Sequence, residues 1–193
     1  LLTWNLLVCK MEFTLHYRGE LKSASRNNAQ LENKHKIRAH FHKQLNELWK
    51  YPPLKDHGHL LSGDGSIIKK VGSFNFAPLV SKSIYLLAEM NILMLRPSRK
   101  GNIISAGGDI DNRLKTLFDA LSMPPGDNNL PKDSQPDRGQ DPFYCVVEDD
   151  GLISQVTVDT DRILEPIIDP QEVILLIKVT TRKIRGLIAT GGL

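Results

Sequence analysis

The sequence predicts an α/β (α+β) fold: one domain, a mixed β-sheet with two main helices packed on it. Three observations carry this. The chain has 193 residues, enough for one hydrophobic core. Two stretches place apolar residues at helical spacing, and the remaining apolar segments are short, strand-like and separated by Gly, Pro, Asn or Ser. The resulting order, a strand, a helix, strands, a helix and strands again, suits a layer of sheet with helices lying against it.

In chain order, residues 12–17 alternate, with Phe13, Leu15 and Tyr17 on one side of a half-buried strand. Residues 18–28 are polar and basic and read as a loop ending at Asn27-Asn28, by default turn residues. Residues 30–49 form the first helix, with Ile37, Phe41, Leu45, Leu48 and Trp49 as its apolar face. Its opposite face carries Lys34, Lys36, Arg38, His42 and Lys43, a candidate phosphate-contact surface. Residues 51–73, with Tyr51-Pro52-Pro53 and Ser62-Gly63-Asp64-Gly65-Ser66, read as an expansion in which a strand at 66–70 is expected. Strands follow at 73–80 and 83–95. The second of these also fits a helix by composition, but Arg96-Pro97-Ser98 closes it as a strand before the next helix begins.

That second helix starts at Gly108-Asp109-Ile110-Asp111-Asn112, where Ile110, Leu114, Leu117, Phe118 and Leu121 share one face. Asp111, Lys115 and Asp119 share another. Acidic residues at a helix start suit the positive end of its dipole, and one of them is accounted for by N-capping. Residues 122–142 hold four prolines between Pro124 and Pro136 and almost no apolar side chains, so a mobile surface loop is expected there. Strands at 143–147, 153–158 and 172–180 complete the sheet, and the first delivers Glu148-Asp149-Asp150 at its end. Asp159 and Asp161 imitate the first aspartate pair but read as strand-end surface residues. The tail, 184–193, ends in Gly191-Gly192 and reads as frayed. Met11 is an alternative start, with residues 1–10 then an upstream extension.

Charge is segregated. Residues 1–50 hold nine Lys/Arg against four Asp/Glu and 51–106 seven against three, whereas 107–170 hold five against fourteen. An acidic middle between basic flanks fits carboxylates that hold a cation while lysines and arginines hold a polyanion. Hard cations such as Mg²⁺ need several oxygen ligands on one point. Two aspartates at a helix start plus an acidic pair from a distant strand supply them. Arg96, Arg99 and Lys100 precede Asp109 and are candidates to line the approach.

Other chemistries find little support. Cys9 and Cys145 give no disulfide framework, and no Cys/His spacing suits zinc. His57-Gly58-His59 lacks carboxylate or thiolate support. Gly107-Gly108 has no Gly-Lys-Ser/Thr sequel, and no dinucleotide fingerprint occurs, so no nucleotide cofactor is expected. No apolar run spans a bilayer, and residues 1–9 lack a basic leader or cleavage-like site, which favours the cytoplasm.

The pattern Asp-Ile-Asp-Asn-x-x-Lys-x-x-x-Asp-Ala-Leu, followed later by Asp-Asp and an apolar residue, resembles the RusA family of Holliday junction resolvases. The specific match covers about fourteen residues plus the second acidic pair. The resemblance implies a RusA-like fold in a homodimeric, Mg²⁺-dependent endonuclease that cuts four-way DNA junctions in recombination and repair, with Mn²⁺ as an alternative metal and a bacterial or prophage context. It assigns Asp109, Asp111 and Asp150 to the metal-binding positions, Lys115 to the functional lysine, and Asp149 to a secondary acidic position. Lys34, Lys36, Arg38, Lys43, Arg96, Arg99 and Lys100 remain the candidate DNA contacts. The chain departs from the family in the length of 122–148, where the usual connection is short, and in 51–73. Two alternatives stand beside this expectation: a catalytically silent protein that binds branched DNA, and a nuclease for flaps or other structures.

Overall fold

A computed structural model of the chain describes residues 10–23, 30–97, 110–166, 169 and 171–184. Within these, the strands are β1 (Glu12–Glu20), β2 (Lys69–Val71), β3 (Phe74–Val80), β4 (Leu86–Arg96), β5 (Phe143–Val147), β6 (Ile153–Arg162) and β7 (Glu172–Lys183). The α-helices are α1 (Leu31–Leu48) and α2 (Ile110–Leu121). The α+β class holds, but the strands divide into two mixed sheets, where one was expected.

The larger sheet runs β1-β7-β4-β6. β7 is antiparallel to both β1 and β4, while β6 lies parallel to β4. The residues of β4 alternate in burial, which confirms the strand reading of a segment whose composition also fits a helix. Leu86, Ala88, Met90, Ile92 and Met94 face the core, with Leu15 and Tyr17 of β1 and Val173, Leu175, Ile177 and Val179 of β7. β6 is an edge strand whose residues are largely exposed. It runs on to Arg162, so Asp159 and Asp161 lie inside an exposed edge strand rather than beyond its end.

The smaller sheet runs β2-β3-β5, with β5 parallel to β3. β5 is buried throughout, as a parallel strand covered on both faces requires. The expected strand at 66–70 shrinks to β2, which turns into β3 through Gly72 and Ser73. Gly72 has φ +57°, and a Cβ there would meet Leu130 Cδ1 at 3.4 Å, so conformation and packing both favour glycine.

Helix α1 buries Ile37, Phe41 and Leu45 as its spacing predicts. It also buries Asn33, Arg38 and His42, which corrects the placing of Arg38 and His42 on a solvated face. Tertiary partners explain both. His42 Nδ1 accepts from the Tyr144 N–H at 2.9 Å and its Nε2 reaches Gly139 O at 3.0 Å, while Arg38 donates to the main-chain carbonyls of Asp119 and Ser122 at the C-terminal end of α2.

Residues 122–142 are not a loop lying off the core. Leu130 is 6% exposed in a second apolar cluster with Val71, Phe74, Phe76, Phe143 and Cys145. Main-chain and side-chain bonds tie the segment down, among them Met123 N–H to Val147 O at 3.0 Å and Ser73 Oγ to Ser134 O at 2.9 Å. One leucine, with β-strand apolar residues waiting for it, was enough to anchor a segment that is polar by composition. At the C-terminus, Thr181 to Lys183 continue β7, and residues 185–193 lie outside the described residues.

Candidate functional site

The end of α2 and the end of β5 are stitched together. Ser122 forms a parallel bridge with Val147, and the Met123 N–H bonds to Val147 O at 3.0 Å. β5 releases Glu148, Asp149 and Asp150 at its end, as the sequence predicts, but beside the last turn of α2 rather than its first. Asp149 caps the short 3₁₀ turn Asp150–Leu152 by accepting from the Gly151 N–H at 2.8 Å. Helix α1 packs against α2 and brings Lys34 and Arg38 to the same place. The three elements enclose a cavity of about 370 Å³ whose lining includes Lys34, Arg38, Asp119, Ser122, Asp149 and Asp150.

Most charges here are paired. Lys34 reaches Asp119 at 2.6 Å and Lys82 reaches Asp149 at 2.5 Å. Lys69 pairs with Glu148, which also accepts from Ser81 Oγ at 2.6 Å and the Lys82 N–H at 3.1 Å. Burial alone would raise the Glu148 carboxyl; Lys69, Ser81 and the Lys82 amide outweigh it and hold the group below its ordinary value. The bond to Asp149 likewise raises the Lys82 ammonium. Asp150 is exposed, and its carboxylate makes no hydrogen bond or ion pair among the described residues.

Arg38 is 3% exposed. Its Nη2 donates to Asp119 O at 2.7 Å and its Nε to Ser122 O at 3.2 Å, while Nη1 has no partner among the described residues. Burial lowers its pKa to about 10. Sequence reasoning found Lys34 and Arg38 as basic residues of α1 but not their convergence on Asp119. It missed Lys69, Lys82, Ser81 and Ser122, which come from separate elements and carry no local signal.

The other expected residues fall elsewhere. Asp111 lies in the first turn of α2, exposed, with Oδ1 accepting the Asn112 N–H at 2.9 Å. Asp111, Lys115 and Asp119 line one face of α2, but eight residues of helix rise about 12 Å. Only Asp119 of the three lines the cavity. Lys36, Lys43 and Lys115 are exposed. Arg96, by contrast, is 7% exposed at the end of β4, where its charge lowers the pKa of Arg113 after burial has done so. That corrects its assignment as a surface phosphate contact: the alternation of β4 turns it to the core side. Asp109, Arg99, Lys100, Cys9, Asn27-Asn28 and Gly107-Gly108 lie outside the described residues. Cys145 is a buried free thiol pushed up to about 12 by burial, so it is no nucleophile.

Among the described residues no three His, Cys, Asp or Glu side chains gather closely enough to hold a metal ion. Of the carboxylates around the cavity, Asp119, Glu148 and Asp149 are paired with lysines, and Asp150 is without a partner among the described residues. No helix among the described residues is long and apolar enough to cross a membrane. No family model, no curated protein and no solved structure matches this chain.

Proposed function

We propose that the chain is a Mg²⁺-dependent, structure-specific endodeoxyribonuclease that resolves four-way DNA junctions, as its resemblance to the RusA family implies. The observation that carries the reading furthest is the meeting of the C-terminal end of α2, at Asp119 and Ser122, with the acidic end of β5, in one cavity walled by a basic helix. The resemblance assigns the cation to Asp109, Asp111 and Asp150, with Asp149 as a secondary ligand; of these Asp149 and Asp150 line the cavity, and Asp111 lies at the opposite end of α2. When bound, the cation polarises the phosphate and lowers the pKa of the attacking water. The remaining work falls to the chain itself. Lys115, exposed on the Asp111 face, offsets the extra negative charge of the transition state. Lys82 screens Asp149, and Lys36 and Lys43 meet flanking phosphates from the open side of α1. The protein acts as a homodimer in the cytoplasm, one site for each of the two strands to be cut.

A panel of end-labelled four-way junctions, flaps and linear duplexes, incubated with Mg²⁺ or Mn²⁺, tests this reading. Junction-selective cutting supports it. Binding without nicking points to the silent branched-DNA binder, and preferential flap cutting to the other nuclease.

A further inference from the structure

Arg38 presents an unfinished arrangement. Its two bonded nitrogens are spent on main-chain carbonyls, which satisfy donors but bring no negative charge, and Nη1 is buried with no partner among the described residues. The nearest carboxylate, Asp119, is taken by Lys34. Ser122 is 6% exposed, and its Oγ is also buried without a partner, although its amide bonds to Phe118 O at 2.9 Å. Both residues line the same cavity. A buried cation without a counter-charge is expensive to keep, and a buried hydroxyl without a bond adds to the cost. An anionic oxygen would complete both.

The charges of the cavity point the same way. Asp119 is paired with Lys34, Glu148 with Lys69 and Asp149 with Lys82, so the unneutralised charges are the guanidinium of Arg38 and the carboxylate of Asp150. A ligand that matches the buried guanidinium carries an anionic group toward Arg38.

We infer that this cavity is a phosphate seat: Arg38 and Ser122 bind the oxygens of one phosphate group, beside the Lys34–Asp119 ion pair. The inference deepens the nuclease reading by fixing where α1 grips the strand: at one buried phosphate rather than along a solvated basic face. A backbone phosphodiester and the monoester of a free nucleotide share this chemistry. Length selects between them, because a strand passes through the seat and a nucleotide ends in it.

The test uses the full chain without divalent cations, so that binding is read apart from cleavage. Inorganic phosphate, thymidine monophosphate, a thymidine dinucleotide and its uncharged methylphosphonate analogue are titrated while the Arg38 side-chain N–H signals are followed by NMR. The expected result is a shift of the Arg38 signals with phosphate and the dinucleotide, and no shift with the methylphosphonate. Ser122→Ala and Arg38→Lys, each checked for a retained cooperative melting transition, should weaken dinucleotide binding several-fold. A preference for the monoester over the dinucleotide would overturn the strand assignment. Unmoved Arg38 signals, or wild-type affinity in both variants, would overturn the seat itself. Junction cutting by the same preparation keeps the two proposals apart: cutting without phosphate binding sinks the seat alone, and phosphate binding without cutting sinks the nuclease reading alone.

Discussion

Asp150 and His35 show how differently single residues contribute. Asp150 is exposed and its side chain bonds to nothing among the described residues, so its carboxylate has little part in holding the fold. Asp150→Asn should abolish cutting while changing stability by no more than about 0.5 kcal/mol, and junction binding should persist or tighten as repulsion of the phosphates falls. Chemical denaturation beside a cleavage assay checks both halves; a large loss of stability would mark Asp150 as structural instead. Asp111→Asn should behave alike, since its one bond is to the next amide. His35 is the opposite case. It packs against Phe74 and Phe143 at ring distances of 5.4 and 5.8 Å, and burial lowers its pKa to about 4, with Arg38 adding to the shift. The folded state therefore binds this proton less readily than the unfolded chain does. Its contribution is fully present above about pH 6.5 and lost as pH falls toward about 4. Allowing for partial exposure, the loss is on the order of 1–2 kcal/mol. His35→Phe should flatten the stability curve between those pH values, and an unchanged slope would show that the ring titrates normally.

At the scale of elements, period-based reading worked where one partner sufficed. β5 was legible to the residue, and so was the apolar face of α1, because burial alone dictates those patterns. Arg38, His42 and Arg96 were misplaced because each is buried by a specific tertiary arrangement: main-chain carbonyls for Arg38, Gly139 and Tyr144 for His42, and the core-side position on β4 for Arg96. Sequence periodicity sees a charge and assigns it to water. The 122–142 segment failed for the same reason in reverse, since its few apolar residues looked insufficient until β3 and β5 supplied the other half of the cluster. Leu130→Ala should therefore cost about 2 kcal/mol. Urea denaturation measures it, and a loss below about 0.5 kcal/mol would show that the segment contributes nothing to the core.

For the whole molecule, the topology gathers charges that the sequence disperses. The basic first half and the acidic middle meet where α1, the end of α2 and the end of β5 enclose the cavity, and Lys69 and Lys82 come in from the β2–β4 region to neutralise the acidic tip. The acidic tip at the end of β5 was readable from the sequence; these counter-charges were not, because nothing local records them. The opposite side of the larger sheet is less polar than a solvated face, with Leu93 and Leu95 beside Ile174 and Leu176, the last 44% exposed. Two equivalent strands in a four-way junction call for two sites related by a two-fold axis. Sedimentation at micromolar concentration should accordingly report a species of twice 21.7 kDa, and a monomer both with and without junction DNA would count against paired cutting.

The central claim is a cation-dependent reaction on a branched strand, and cleavage of a single end-labelled four-way junction by the purified chain tests it most directly. The account predicts symmetrical nicks on two opposed strands in Mg²⁺, no nicks in EDTA, and none with Asp150→Asn despite retained binding. A folded chain that binds the junction tightly yet leaves every strand intact in Mg²⁺ and in Mn²⁺ would contradict it.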